Sequence, residues 1–369
     1  MEPLVSVTIV TYNSGKHIAA CLESLCLQDY PSLEVVVVDN RSQDDSRAIV
    51  ERFLSRLPLL RIDNDFNNGF CGGQNQAIAA SHGAWVLALN PDVVLTPQFV
   101  GRLIAGIETQ NDPAVGIACG RLVSTEQGRL DSTGMYFTPQ LRHFDRDGRQ
   151  KDSGQHRVPE YVFGATGAAA LYSRAMIQAI SVPVASESKA LALDGANGSV
   201  EFFDHDFFAY REDADLSWRA QLMGWNCLYV PDAIGSHVRR CVPENRAQMP
   251  AAVNMHSVKN RFLMRIKNVG AGVYLRHFWA ITLRDLGAIG FCLAKERTSL
   301  PGLAMVLRDW RKTWAKRRWI QSRRKRTDAE LAVWFNTRPV AFPVRPLPES
   351  AAVSTVEAKA LAIGMGRRA

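Results

Sequence analysis

Between Ser6 and about Glu108, short runs of apolar and β-branched residues alternate with stretches in which apolar residues recur every three or four positions. Ser6 to Thr11 and Leu33 to Val38 are runs of the first kind, the latter nearly all valine; a strand with no polar alternation is one buried on both faces, as parallel strands are. Between them Ile18, Cys21, Leu22 and Leu25 mark one face of a helix that Ser14 is placed to cap and that stops near Pro31. Ser42 to Leu57 repeats the helical period. Leu59 to Ile62 reads as a third strand, Asn67 to Gly73 as a glycine-rich turn, Gln74 to His82 as a short helix and Ala84 to Leu89 as a fourth strand. The order βαβαβαβ predicts an α/β fold with a doubly wound, mostly parallel sheet, and places ligands beyond the C-terminal ends of its strands.

A helix over Gln98 to Glu108 and a strand over Val115 to Val123 follow, and the rhythm then loosens. Met135 to Phe137, Tyr161 to Phe163 and Gly167 to Tyr172 read as short mixed strands, Val182 to Ser199 as a mobile loop without apolar periodicity, Asp213 to Met223 as a helix and Asn226 to Val230 as a strand. Three regions are expected: residues 1–245 as the main domain (a donor half 1–125 and an acceptor half 126–245), 246–326 as a basic helical extension, and 327–369, rich in Pro and Ala, as a loosely ordered tail.

At 369 residues with 47% hydrophobic and 22% charged positions, the chain can bury a large core. No basic, apolar leader precedes the first strand, so a cytoplasmic location is expected. Seven cysteines without a C-x-x-C pair or zinc spacing argue against a disulfide framework. The net charge of +8 is uneven: Lys259 to Arg326 holds 18 Lys or Arg against Asp285, Glu296 and Asp309.

Polar clusters close the predicted strands at Thr11-Tyr12-Asn13, Asp39-Asn40, Asn67-Asn68-Gly69 and Asn90-Pro91-Asp92. One such cluster is an ordinary turn or cap; four in series at strand ends of one sheet define a crevice. Asp92 suits a hard divalent ion, Mg2+ or Mn2+, which would neutralise a nucleoside diphosphate leaving group. Asp39 is placed to accept the imide N–H of a uracil or thymine ring. About 120 residues further on, Glu212-Asp213-Ala214-Asp215 offers carboxylates for deprotonating an acceptor hydroxyl. Acids also favour helix N-termini, and Asp215 with Arg219 reads as an i,i+4 pair worth roughly 0.2–0.5 kcal/mol. Composition does not choose between Glu212 and Asp213.

These segments, in the same order, resemble inverting family 2 glycosyltransferases of the GT-A fold over roughly the first 265 residues: Val5 to Asn13, Val35 to Ser42, N-N-G-F-C-G-G-Q-N from Asn67, L-N-P-D-V from Leu89, and F-F-A-Y-R-E-D-A-D-L-S-W-R from Phe207. The N-P-D version of the usual D-x-D and the glycine-rich stretch resemble the branch of rhamnosyltransferases and galactofuranosyltransferases. The resemblance implies that Thr11, Tyr12, Asn13 and Asp39 line the base and ribose site. It also implies that Asn68, Gly69 and Asn75 shape the donor pocket with Asn90, that Asp92 and His237 hold the metal, and that Asp213 is the base, with Glu212, Asp215 and Arg219 in support. A dTDP- or UDP-linked donor and a saccharide or lipid-linked acceptor are expected. Two departures stand out: Asn90 replaces the first acid of D-x-D, so metal affinity should depend on bound donor, and the long stretch before Glu201 leaves the acceptor open.

Arg308 to Arg326 sets Trp310, Trp314 and Trp319 among ten cations, which suits the surface of an anionic membrane, expected to be the inner face of the cytoplasmic membrane. A solvated cationic face is an equal reading for Arg323 to Arg326. With no nucleic-acid module alongside, nucleic acid is not expected as a partner. A nicotinamide oxidoreductase would need G-x-G-x-x-G after the first strand, which is missing. A sugar-nucleotide pyrophosphorylase, whose triphosphate loop would have only Gly15 and Lys16, and a catalytically inactive donor-binding scaffold are the alternatives.

Overall fold

The computed structural model describes residues 2–126, 128–184, 200–239, 246 and 248–346. The alternation is as predicted: β1 (Val5–Thr11), α1 (Gly15–Cys26), β2 (Leu33–Asp39), α2 (Ser46–Glu51), β3 (Leu59–Asp63), α3 (Gly69–Ala79) and β4 (Trp85–Leu89). β5 (Val93–Leu95), α4 (Phe99–Gln110) and β6 (Val115–Ser124) follow, then the short strands β7 (Leu130–Ser132), β8 (Met135–Phe137), β9 (His143–Asp145) and β10 (Glu160–Val162). β11 (Ala169–Ser173), α5 (Arg174–Ile180), the paired β12 (Val182–Pro183) and β13 (Val200–Glu201), α6 (Glu212–Leu222) and β14 (Asn226–His237) complete the part that carries the site.

The sheet runs β15-β10-β14-β6-β11-β4-β1-β2-β3, where β15 (Phe342–Pro343) adds the last edge. β4, β1, β2 and β3 are parallel, with Thr11 opposite Asp39, so their C-terminal ends share one edge of the sheet. β11 inserts antiparallel between β4 and β6 with Ala169 opposite Leu89, which brings the chain before β11 to that same edge. Apolar residues cover both faces because both are packed: Val86 and Ala88 enter one core cluster, Leu87 and Leu89 the other.

Several local expectations are corrected. Ser14 sits at the N-cap of α1, but its hydroxyl faces Tyr12, accepting from that N–H at 3.3 Å, and caps nothing. The helix expected over Ser42 to Leu57 is confined to Ser46–Glu51. The glycine-rich turn is the first part of α3: Gly73 packs so closely on β1 that a Cβ would lie 2.8 Å from Val10, and tertiary contact outweighs poor helix propensity. β14 runs past Pro231 to His237, its register on β6 shifting between Val230 and Ile234. Most of the stretch expected to form a mobile loop, residues 185–199, lies outside the described residues.

C-terminal to β14 come α7 (Ala251–Asn268), α8 (Ala271–Arg276), α9 (Phe278–Ala294), α10 (Leu300–Arg308), α11 (Trp310–Ser322) and α12 (Asp328–Ala332). No helix among the described residues is long and apolar enough to cross a membrane. The tail is ordered over residues 327–346: Thr327 forms a capping box with Glu330, and Leu331, Trp334 and Phe335 are buried in the core. Residues 347–369 lie outside the description.

The cations of this region are partly spoken for. Lys316 of α11 is 2% exposed, its Nζ 2.6 Å from Asp204, 2.8 Å from Asp206 and 3.2 Å from Glu201; Lys267 of α7 bonds Asp204 and lies 3.0 Å from Asp215. Burial alone would strip the Lys316 proton, but the three carboxylates hold its pKa above the usual lysine value. Asp215 and Arg219, expected as a weak surface pair, are fully buried members of this network, with Asn268 donating to Asp215 at 2.7 Å. Glu201, Asp204 and His205 lie close enough together to suggest a cation site, but ammonium groups already meet both carboxylates. Removing one partner of a buried ion network leaves uncompensated charge, so Lys316→Met is expected to cost about 3–5 kcal/mol in denaturant unfolding. The same change at exposed Arg318 should fall within about 0.5 kcal/mol.

Candidate active site

β1 and β2 end in a locked polar corner. Asp39, 1% exposed, accepts from Thr11 Oγ1 at 2.8 Å, from the Ser42 N–H at 2.9 Å and from Arg47 Nε at 2.6 Å. Burial opposes its ionisation, but the bonds from Ser42, Arg47 and Thr11 hold its pKa below the usual aspartate value. Tyr12 projects from this corner, 52% exposed, and Asn13 adopts a left-handed φ of 52°, its N–H on Ser42 Oγ and its Oδ1 accepting from Gln43.

α3 enters this edge through Asn68 and Gly69. Gly69 has φ +72°, and a Cβ there would meet Phe208 at 2.6 Å; Cys71 N–H donates to the Phe208 carbonyl at 3.0 Å. Asn68 packs under Gly72, where a Cβ would lie 2.3 Å from its amide. Asn75 is used differently from the expectation of a pocket-lining residue: both ends of its amide are bonded to the Phe203 backbone, at 2.7 and 2.9 Å.

Asp92 stands in the turn between β4 and β5. β5 pairs antiparallel with β14, setting His237 opposite Val93, and Val238 N–H donates to the Asp92 carbonyl. His237 Nε2 therefore faces Asp92 Oδ1 at 3.5 Å, while Nδ1 is held at 2.7 Å by Asp131. Burial works against a charged ring, but Asp131 and Asp92 bring the His237 pKa up to about 9. A carboxylate behind an imidazole whose other nitrogen faces a second, partly exposed carboxylate is the arrangement that orients a metal-ligating histidine. Asp92 and His237 thus fit a divalent cation completed by phosphate oxygens.

Asp213 reaches the same crevice through the chain that leads into β11. Its Oδ2 accepts from Gly167 N–H at 3.1 Å, and the next residue, Ala168, accepts from Asn90 N–H at 2.8 Å. The charge of nearby Asp145 also acts on Asp213, and Asp145 pairs with Arg239 at 2.7 Å, which in turn holds Asp131, the residue behind His237. The acids of the Glu-Asp pair differ. Asp213 is half-buried and its Oδ1 also accepts from Ala214 N–H at 2.7 Å, whereas Glu212 is buried with Oε2 unpartnered. Burial and then Asp213 raise the Glu212 pKa to about 8; burial also raises Asp213, against the Gly167 bond. A proton on the pair therefore belongs on Glu212, leaving the charge on Asp213.

The backbone before this pair is strained. Phe208, Tyr210 and Arg211 have φ of 64°, 72° and 70°, which for non-glycine residues costs about 1–3 kcal/mol each. Asn260 of α7 holds the segment, its fully buried Nδ2 donating to the carbonyls of Phe207, Ala209 and Tyr210 at 2.9, 2.8 and 2.7 Å. Asn260→Ala should let the segment relax and shift Asp213, lowering kcat by about 10–100-fold in initial-rate assays well below the unfolding temperature. Asn260, Asp131, Asp145, Gly167 and Arg239 were not singled out from the sequence. The nearest signal was Arg239, two positions from His237 and so on the same side of an extended chain.

Residues 6–181 match the sequence model of glycosyl transferase family 2. The chain is 28% identical over 248 residues to N-acetylglucosaminyl-diphospho-decaprenol L-rhamnosyltransferase of Mycobacterium tuberculosis, covering 63% of this chain and 75% of that protein. Among solved structures, S. aureus TarS 1-349 in complex with UDP-GlcNAc superposes with a TM-score of 0.52 at 16% identity, over 86% of this chain and 90% of that one. GalNAc-T7 with UDP, GalNAc and Mn2+ also gives 0.52, at 14% identity over 72% and 48%. These likenesses establish a GT-A-like α/β fold with a mixed, mostly parallel sheet and a C-terminal helical region. Residues 6–181 carry the sequence of glycosyl transferase family 2, and the chain is a nucleotide-sugar-dependent glycosyltransferase. The family match stands against the pyrophosphorylase alternative.

Proposed function

We propose that the chain is an inverting enzyme that moves a rhamnose-like sugar from a dTDP- or UDP-linked donor to a saccharide or lipid-linked saccharide during cell-surface polysaccharide assembly. It would work as a peripheral protein on the inner face of the cytoplasmic membrane. The observation that carries this reading is the hydrogen-bonded route from Asp213 through Gly167 and Ala168 to Asn90, which sets Asp213 at the crevice that holds Asp92. Thr11, Tyr12, Asn13 and Asp39 line the nucleoside corner, with the exposed Tyr12 ring available to stack on the base and Asp39 the acceptor for its imide. Asn68, Gly69 and Asn90 border the sugar, and Asn75 acts through Phe203. Asp92 and His237 would hold Mg2+ or Mn2+, which supplies charge neutralisation to the departing diphosphate. Asp213 takes the proton of the acceptor hydroxyl as it attacks from the face opposite the diphosphate, and one displacement inverts the anomeric centre.

The rhamnose preference is supported by the mycobacterial relative, whose name specifies an L-rhamnosyltransferase acting with a diphospho-decaprenol carrier. Thermal unfolding with Mn2+ and dTDP, UDP or GDP tests the donor class. A rise in Tm confined to dTDP or UDP is expected, and a rise with GDP alone would overturn that assignment. Donor hydrolysis assayed in parallel separates an enzyme from an inactive binder.

A further inference from the structure

α9 is amphipathic the wrong way round for a helix packed on a globular core. Its inward side carries Ile281, Asp285 and Cys292, spaced by four and seven residues. Asp285 is bonded from this side to Arg265 of α7 at 2.6 Å and lies 3.3 Å from Arg261. Its outward side carries Trp279, Leu283, Leu286, Gly290 and Leu293, spaced 4, 3, 4 and 3 as one continuous helical face. Trp279 is 72% exposed, and the three leucines are each more than half exposed. At Gly290 a Cβ would meet nothing. Leu275, at the end of α8, is 72% exposed just before the stripe begins. Burying a large apolar side chain is worth about 1.5–3 kcal/mol, so a stripe of this length is a substantial surface in search of an apolar neighbour.

The rim is cationic. Arg276, Arg284, Lys295 and Arg297 are all exposed around the stripe. The two acids of the same stretch are occupied: Asp285 by α7, and Glu296 by Arg246 at 2.6 Å and by Ser299. An apolar stripe bordered by cations, with its acids paired away, complements an anionic lipid surface. A second copy fits less well, because a two-fold interface sets the same patch against itself and would bring like rims together.

We infer that the outward face of α9, with the end of α8, is the membrane-docking surface, lying in the headgroup region of an anionic bilayer without crossing it. The tryptophan-rich helix expected to play that part commits one face inward, with Lys316 buried among acids, Arg317 on the carbonyls of Ile266 and Val269, and Trp319 Nε1 on Ser181, while Trp310 and Trp314 stay exposed as the competing surface. This inference deepens the membrane part of the proposed function and rests on that reading for its purpose. Its test uses no sugar donor or acceptor, so it stands or falls separately from the transferase assignment.

The test is co-sedimentation of the full chain with phosphatidylcholine vesicles, with and without phosphatidylglycerol. Wild type is expected to pellet with the anionic vesicles and to be released by salt. A Trp279→Ser/Leu283→Ser/Leu286→Ser variant should partition at least ten-fold more weakly, whereas Trp310→Ser/Trp314→Ser on α11 should bind nearly as wild type. Thermal unfolding of each variant reports folding. As a measurement that needs no destabilising change, Trp279→Phe should keep binding but lose a distinct part of the fluorescence quenching produced by brominated phosphatidylglycerol. Three results would overturn the inference: no preference for anionic vesicles, vesicle binding that follows the α11 pair rather than the α9 stripe, or a concentration-dependent dimer that the stripe variant dissolves.

Discussion

Asp213→Asn is expected to lower kcat by on the order of 10³-fold, the size of effect when a general base is lost, while the thermal shift produced by nucleotide and Mn2+ stays close to wild type. The companion change Glu212→Gln should leave transfer within a few-fold. Glu212 is buried with an unpartnered oxygen and a pKa raised to about 8, so it is already neutral at pH 7, and glutamine reproduces that form. Asp213, half-buried and accepting two backbone N–H bonds, carries the pair's charge. The acid limb of the kcat profile should fall as pH drops through an Asp213 pKa above the ordinary aspartate value, because the base works ionised. Stability moves oppositely. The folded chain keeps a proton on Glu212 between the unfolded value of 4.5 and about 8, so stability falls as pH rises through that window. Glu212→Gln should therefore raise Tm more at pH 8 than at pH 5. An inactive Glu212→Gln beside an active Asp213→Asn would exchange the two roles.

The second large effect is at the other carboxylate. Asp92→Ala and His237→Ala are each expected to reduce transfer by on the order of 10²-fold or more and to weaken Mn2+ binding, measured by electron paramagnetic resonance with nucleotide present. Asp131→Asn should give a smaller loss in the same direction. Asp131 touches neither donor nor cation but sets the His237 ring through its bond to Nδ1, and second-sphere changes of this kind cost about 10–100-fold in metal affinity or activity. Because Asn90 occupies the position of the usual first acid, Mn2+ affinity without nucleotide should be low, and titration with and without UDP measures the difference.

The parallel half of the fold was legible because β1, β2 and β4 are largely buried on both faces, β1 reading as a run of mostly β-branched residues and β2 and β4 as nearly continuous apolar runs. Strand ends were legible for the same reason, since the run stops where Asp39 or Asn90 begins, and the candidate residues there fall on one edge of the sheet. What escaped detection depends on partners remote in sequence. Gly69 to Gly73 reads as a turn by propensity, but is helical because Phe208 closes the start of α3 and Val10 needs the missing Cβ. Asp215 and Arg219 look like a surface pair until Lys267 and Asn268 arrive from α7. Trp334 and Phe335 sit in a Pro- and Ala-rich tail whose composition hides that they pack on Trp218 and Phe163. Choosing between Glu212 and Asp213 needed burial and backbone donors, which no spacing encodes.

The most direct measurement is a crystal structure with Mn2+ and a UDP- or dTDP-sugar, the cation located by anomalous scattering. The expected density places Mn2+ on Asp92 and His237, bridging the diphosphate, with the anomeric carbon of the bound sugar turned toward the Asp213 carboxylate. Manganese on Glu201 and Asp204, or a sugar whose anomeric carbon faces away from Asp213, would contradict the account.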